Sequence, residues 1–503
     1  MARGHGFIIL LSAFMFTACT QLTPEMQVVH DAAEAMGGDD RILEAQSFSL
    51  EGSGRQYRLG QGFAPDNKDL ACNAGNCPYW EIDNYRFDSD LQNIRWRITQ
   101  ERTSLFLTQS PALTQEQSFG FDGDVAYNIG SDGVARRASQ QVAFERLALH
   151  YHHPFSMLNL ALTEGTIVSA LRQEDGHDIV DVTSVDGDIY TLWIDSETKL
   201  PMRIASAIYH SYLGDVMLTS TFDNYGETGG LGGFSARFTL PKTIKIRMGD
   251  YPLWDLLVET NTNQEFEDLS APESATSGSP PEFQANVQVD EIADGVWRLA
   301  GQSHHSMLVE FDDFLVLIEA PQSDARTLAV IEKARELQPD KPLQYVINTH
   351  HHFDHSGGIR AAVSEGLTII THETNQSYYE ELVASSHDSQ PDALARSPQG
   401  LNMELVPGYE VYDLNNGRRT IHIVRIFQDE HSAGHLIVYL PWARILVEAD
   451  VFVPTARVAP FVDNLLKNVN DLDWRIDRIV PIHGEVVDFS ALEDMVEAEA
   501  NRF

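Results

Sequence analysis

Asn348-Thr-His-His-His-Phe-Asp-His-Ser-Gly-Gly358 is the stretch on which the reading of this chain turns. It holds His350-x-His352-x-Asp354-His355, three imidazoles and a carboxylate close together, and Gly357-Gly358 lets the backbone turn immediately afterwards. The apolar run Tyr345–Asn348 precedes it and a helical pattern follows. Its ligand-type side chains therefore fall on a tight loop at a strand end, where a metal site is readily built. Imidazole and carboxylate suit zinc, and a catalytic ion takes about three protein ligands with a position left for water. A solvated histidine-rich loop is the bland alternative, and it leaves the spacing unexplained.

Three further residues of the same chemistry stand at strand ends downstream. His431 lies in Asp429-Glu-His-Ser-Ala-Gly-His435, before the strand-like Leu436–Leu440. Asp450 closes Ile445-Leu-Val-Glu-Ala-Asp450, and His483 lies in Ile479-Val-Pro-Ile-His-Gly-Glu485. The order His350, His352, Asp354, His355, His431, Asp450, His483 resembles the metallo-β-lactamase superfamily over roughly Val289 to Glu485. The phrases Lys341-Pro-Leu-Gln-Tyr-Val-Ile-Asn-Thr-His-His-His-Phe-Asp-His-Ser-Gly-Gly358 and Ile479-Val-Pro-Ile-His-Gly484 are similar to those of a group of exported bacterial hydrolases of that fold.

The resemblance implies an αββα sandwich over residues 283–503 and two Zn2+ per chain. It implies His350, His352 and His431 on one ion, Asp354, His355 and His483 on the other, and Asp450 bridging both. A hydroxide held between the ions would be the nucleophile at neutral pH, which makes Asp450 and Asp354, the latter orienting that hydroxide, the expected catalytic residues. The expected function is hydrolysis of a small ester, lactone or amide, β-lactams included. Two alternatives stay open: a mononuclear iron dioxygenase of the same fold, and a ligand-binding lipoprotein whose metal site is vestigial. The same ligand set serves several bond types, so it leaves the substrate undetermined.

Superfamily members usually carry Asp after the early strand, whereas this chain has Glu319 in Leu317-Ile-Glu-Ala-Pro321. Glu319 is either an acceptor that holds the histidine-rich loop from behind or a solvated turn carboxylate. His304 and His305, in Gly301-Gln-Ser-His-His-Ser306, are either substrate contacts or plain surface residues. His372 and His435 read either as supports behind the ligands or as structural, and the insert His387–Leu405, without a clear period, reads as a flap over the pocket.

The rest of the back half alternates strand and helix. Phe314–Ile318, Thr368–Thr371, Thr420–Ile426, Leu436–Leu440 and Ile445–Val447 are strand-like; Leu328–Leu337 and Thr374–Ser385 have helical periodicity. Residues 269–282, rich in Ser, Pro and Ala, read as a linker to a front domain at residues 24–268. That front half opens on a helix over Met26–Met36, ended by Gly37-Gly38. Alternating stretches follow at Asn93–Gln100, Ile179–Val185, Ile189–Ile194, Met217–Asn224 and Thr243–Met248. The pattern predicts an antiparallel β-rich domain, similar to half-open-barrel lipoprotein carriers, and so an α+β chain overall. The front half shows no catalytic constellation, which leaves it a scaffold or ligand-binding role.

Residues 1–19 read as a signal peptide. Phe7–Phe16 is too short an apolar run to span a bilayer, and Phe16-Thr-Ala-Cys19 is similar to a lipoprotein cleavage box. Lipidation of Cys19, and with it a periplasmic location anchored to a membrane, is the expectation; ordinary secretion is the alternative. In that compartment Cys72 and Cys77, in Cys-Asn-Ala-Gly-Asn-Cys, are expected to pair as a disulfide, with half of a zinc site as the rival. The charge of -39, from 35 Lys+Arg against 74 Asp+Glu, repels nucleic acid. A small molecule is the expected partner.

Overall fold

In the front half, alternation with a period of two resolves into one long antiparallel sheet. The computed structural model describes residues 22–65, 78–104, 114–227, 238–262, 268–456 and 459–501. Cys19, Cys72 and Cys77 lie outside them. Among the described residues the sheet has thirteen strands. The strand Ser47–Tyr57 stands near its middle, flanked by Tyr79–Asp90 on one side and by Tyr251–Thr262 on the other. In the strand Ile189–Asp195, Tyr190, Leu192 and Ile194 turn inward while their neighbours stay more exposed, as the pleat requires.

The sheet closes around helices Pro24–Met36, Asp39–Glu44 and Pro154–Leu162. One core unites Val29, Met36, Ile42, Phe155 and Leu158 with Leu50, Ile82, Trp96, Val180, Ile204 and Leu256 from widely spaced strands. Strands far apart in the sheet sharing one core is the half-barrel arrangement that the pattern predicts. Thr23 caps the first helix by accepting from the Met26 amide, and Pro24 fills a position that needs no donor.

The back half is an αββα sandwich. A seven-stranded sheet runs antiparallel over Gln288–Ala293, Val296–Ala300, Ser306–Glu310 and Leu315–Ile318. It then runs parallel through Leu343–Ile347, Thr368–His372 and Asn402–Val406. A six-stranded sheet, Tyr412–Asn415 to Val487–Asp488, packs against it. The strand Leu315–Ile318 is buried on both faces. Val316 and Ile318 meet the second sheet, while Leu315 and Leu317 meet the helices, chiefly Asp324–Leu337. Helices Val462–Asp471 and Ser490–Ala500 cover the outer face of the second sheet. No described helix is long and apolar enough to cross a membrane.

Two sequence expectations need correction. The insert His387–Leu405 is no flap over the histidine-rich loop. Asp215, from the front sheet, accepts from Ser386 Oγ at 2.8 Å, the Asp388 amide at 2.7 Å and the Ser389 amide at 3.2 Å, which docks the start of the insert on the other half. Arg360 and Asp392 pair with little solvent access and hold it from the back half. The segment lacked a period because it folds against two domains at once. Asp215→Ala is expected to raise proteolytic cleavage within residues 385–400 several-fold, read by limited proteolysis and mass spectrometry. The connection 269–282 is likewise not free chain: it contains the short helix Glu273–Thr276, whose Ala275 is buried against Val125, Tyr127 and Ala135.

Candidate metal centre

The histidine-rich loop leaves the strand Leu343–Ile347 and enters the short helix Phe353–Ser356, so its side chains converge at the parallel strands' C-terminal ends. Glu319 holds it from behind. This carboxylate is wholly buried, takes the Thr349 amide at 2.9 Å and faces His355 Nδ1 at 3.1 Å. It also sits at φ 75, an unfavourable backbone for a residue with a side chain, tolerated because these contacts over-determine it. Of the two readings of Glu319, the solvated turn is therefore excluded by its burial.

Two groups of side chains form. His350, His352, His431 and Asp450 make one; His304, Asp354, His355 and His483 make the other. In the first, His350 Nε2 lies 3.0 Å from His352 Nδ1, and in the second, His483 Nε2 lies 3.2 Å from His355 Nε2. Nitrogens bound at about 2.0–2.1 Å around a tetrahedral zinc are separated by about 3.3 Å, so both groups are near a ligand spacing. Asp450 joins them. Its Oδ2 is 3.0 Å from His431 Nε2 and 3.4 Å from His350 Nε2, while its Oδ1 is 3.1 Å from His355 Nε2 and 2.6 Å from His483 Nε2. His431 Nε2 is buried and faces Asp450 Oδ2 without the alignment of a hydrogen bond, as two atoms sharing one cation would.

Several of these rings are anchored through their far nitrogen. His350 Nδ1 meets Thr349 Oγ1 at 3.0 Å, and His483 Nδ1 donates to the Ser303 carbonyl at 3.1 Å. Asp429 shapes the loop that carries His431, accepting from the His431 and Ser432 amides and from His435 Nδ1. His435, packed on the His350 ring, is structural, and so is His372, which bonds the Gly408 carbonyl.

Burial opposes charge on Asp354 and Asp450, but the facing imidazoles outweigh it and hold both carboxylates below their usual range. Burial, reinforced by neighbouring imidazoles, pushes His350 and His352 well below theirs. Burial likewise opposes charge on His355, but Asp450, Asp354 and Glu319 together lift it well above its ordinary value. Three carboxylates call for positive charge at that ring, which a proton or a cation can supply. Ionised carboxylates and neutral imidazoles are the forms that coordinate a metal.

His304 and His305, adjacent in sequence, part company. His304 Nε2 reaches Asp354 Oδ2 at 3.2 Å, and its ring packs on His483 with centroids 4.0 Å apart. His305 turns to Arg298 Nη2 at 3.0 Å and stays out of both groups. Burial and then Arg298 push His305 down to about 4, so it accepts as a neutral ring.

The front half also reaches the site, which sequence reading missed. Gln61 donates to Asp354, the Gly62 carbonyl meets His351 and His352, and Arg58 lies in the field of Asp354 and Asp450. The faint signal was Gly60-Gln-Gly62 just past a strand end, which carries no motif of its own.

Comparison with known proteins agrees with this geometry. Residues 299–421 match the metallo-beta-lactamase superfamily profile. The chain is 25% identical over 218 residues to the 2,4-dinitroanisole O-demethylase subunit alpha of Nocardioides sp. (strain JS1661), covering 41% of this chain and 61% of the relative. It is 24% identical over 219 residues to a linear primary-alkylsulfatase of Pseudomonas sp. (strain ATCC 19151), covering 36% of this chain and 41% of that one. The chain thus spans less than two thirds of the length of either relative. Among solved structures, a metallo-beta-lactamase from Hirschia baltica aligns at 18% identity and TM-score 0.33, over 42% of this chain and 97% of its own. DIM-1 metallo-beta-lactamase aligns at 15% identity and TM-score 0.33, over 43% and 98%. The profile match and the two histidine–aspartate groups support a metal-binding centre in the C-terminal half. In its C-terminal half, over residues 299–421, the chain is similar to the metallo-β-lactamase superfamily.

Proposed function

We propose that the chain is a dinuclear zinc hydrolase of a small ester, lactone or amide. The observation that carries this reading is Asp450, whose two oxygens face two separate groups of imidazoles. His350, His352 and His431 would hold one ion, Asp354, His355 and His483 the other, and Asp450 both. His304 stands as a further donor beside the second. Two such ions would supply a nucleophilic oxygen at neutral pH and a Lewis acid for the substrate's oxygen. Asp354 and His483 form the more exposed rim, with side chains 33% and 21% exposed, so a substrate approaches from their side. Asp354, held ionised there, can accept a hydrogen bond from the attacking water and orient it.

The named activities of the two relatives add an alkyl sulfate and an aryl methyl ether to the substrates worth testing. A second complete group beside the first speaks against a single-iron dioxygenase, and the buried, anchored ligands speak against a vestigial site. We further propose export and lipidation at Cys19, a disulfide between Cys72 and Cys77, and no nucleic-acid partner. Mass spectrometry of the mature N-terminus tests the lipid.

Metal analysis of the purified full chain, with chromogenic β-lactam, lactone, aryl-ester, phosphodiester and alkyl-sulfate substrates, tests the main reading. Two zinc ions per chain with hydrolysis is the expected result; one iron with oxygen uptake, or no bound metal, overturns it. His304→Ala is expected to weaken retention of one ion several-fold, and His305→Ala to leave metal content unchanged.

A further inference from the structure

Residues 58–63 leave the end of the strand Ser47–Tyr57 in the front sheet and make three separate attachments to the metal centre. The Gly62 carbonyl lies 3.0 Å from His351 Nε2 and 3.0 Å from His352 Nε2. Gln61 Nε2 donates to Asp354 Oδ1 at 2.8 Å. The Phe63 carbonyl accepts from the Ala433 amide at 2.8 Å, two residues past His431. One short segment therefore touches the loop of the first group, the carboxylate of the second and the turn that carries His431.

A carbonyl only accepts, so His352 Nε2 must carry the proton. In a neutral imidazole that leaves the lone pair on Nδ1, the nitrogen that faces His350 Nε2. Gln61 acts similarly on Asp354. An ionised carboxylate only accepts, so the amide end of Gln61 occupies Oδ1 and leaves Oδ2 toward His304 and His355. The segment is also clamped in place. Gly60, at φ 68, lies so close to Phe353 that a Cβ there would run into the ring. Phe353, between His352 and Asp354 in sequence, is walled in by Tyr212 and Tyr251 of the front domain.

We infer that residues 58–63 of the N-terminal domain are a positioning element of the metal centre, setting the His352 tautomer through the Gly62 carbonyl and the Asp354 orientation through Gln61. This rests on the two-metal reading above and gives the front half a role in it. The C-terminal half would then retain metal fully only in the presence of the front domain.

The test uses the full chain loaded with cobalt(II), reading bound metal under chelator competition and the visible absorption of the cobalt. Gln61→Ala is expected to weaken retention of one ion about tenfold, within the range of about 10–100-fold for partners that orient ligands. Gln61→Glu, which sets a carboxylate against Asp354, should weaken it further. Gly60→Ala should alter the absorption of both ions by pushing the segment away. Gly123→Ala is the matched control, because Gly123 has φ 62 with nothing within 4 Å of an added Cβ. It carries the same backbone strain and should retain metal as the unaltered chain does. If Gly60→Ala fails to fold, the Gln61 pair decides alone. An unaltered chain that binds two ions, with both Gln61 variants within twofold of it, overturns the positioning role. An unaltered chain that binds none overturns the two-metal reading, and this inference with it.

Discussion

Asp450→Ala is expected to lower kcat at least about a hundredfold and to bring bound metal below two ions per chain. The size of the effect follows from its place. Asp450 is the carboxylate that faces His350 and His431 with one oxygen and His355 and His483 with the other. Alanine removes a negative charge from a nest of imidazoles and, on the proposed two-metal reading, takes a ligand from both groups at once. Asp450→Asn keeps the shape and loses the charge, so it should cost nearly as much; a loss of packing alone would spare it. Metal stoichiometry by emission spectroscopy, with circular dichroism to show folding, checks the pair. A folded, metal-replete Asp450→Ala chain with near-normal turnover would sink the assignment.

Glu319→Ala should be the most damaging change outside the ligands. It leaves the Thr349 amide and the His355 ring without their acceptor in a site closed to water, at about 1–3 kcal/mol for each buried donor left unmade. His355 also loses the partner that orients it, so metal retention should fall together with stability. Glu319→Gln preserves volume and one acceptor oxygen, and is expected to recover much of the stability but less of the metal affinity. Thermal unfolding with and without added zinc separates the two effects. Equal metal affinity in both variants and the unaltered chain would confine Glu319 to a packing role.

The legible and illegible parts of this site divide along physical lines. His350, His352, Asp354 and His355 share one loop, and their spacing follows from local backbone geometry, so it is written in consecutive residues. His431, Asp450 and His483 were legible one step removed, because each stands beside an apolar run that must be a strand: His431 ahead of one, Asp450 and His483 at the end of one. His304 and His305 were indistinguishable in sequence. A single step along an extended chain reverses the side chain, and only packing decides which ring faces His483 and which faces Arg298.

The insert was misread for a related reason, since a segment docked against two domains owes its order to neither alone. The sequence by itself determined the alternation of strand and helix in the back half, the antiparallel front sheet and the chemical type of the candidate centre, because hydrophobic period and ligand spacing are short-range properties; the sandwich was implied only through the family resemblance. The tertiary structure alone decided that Gln61 and Gly62 belong to that centre. They act across 293 and 290 residues of separation, through a carbonyl and an amide that carry no pattern until the two halves meet.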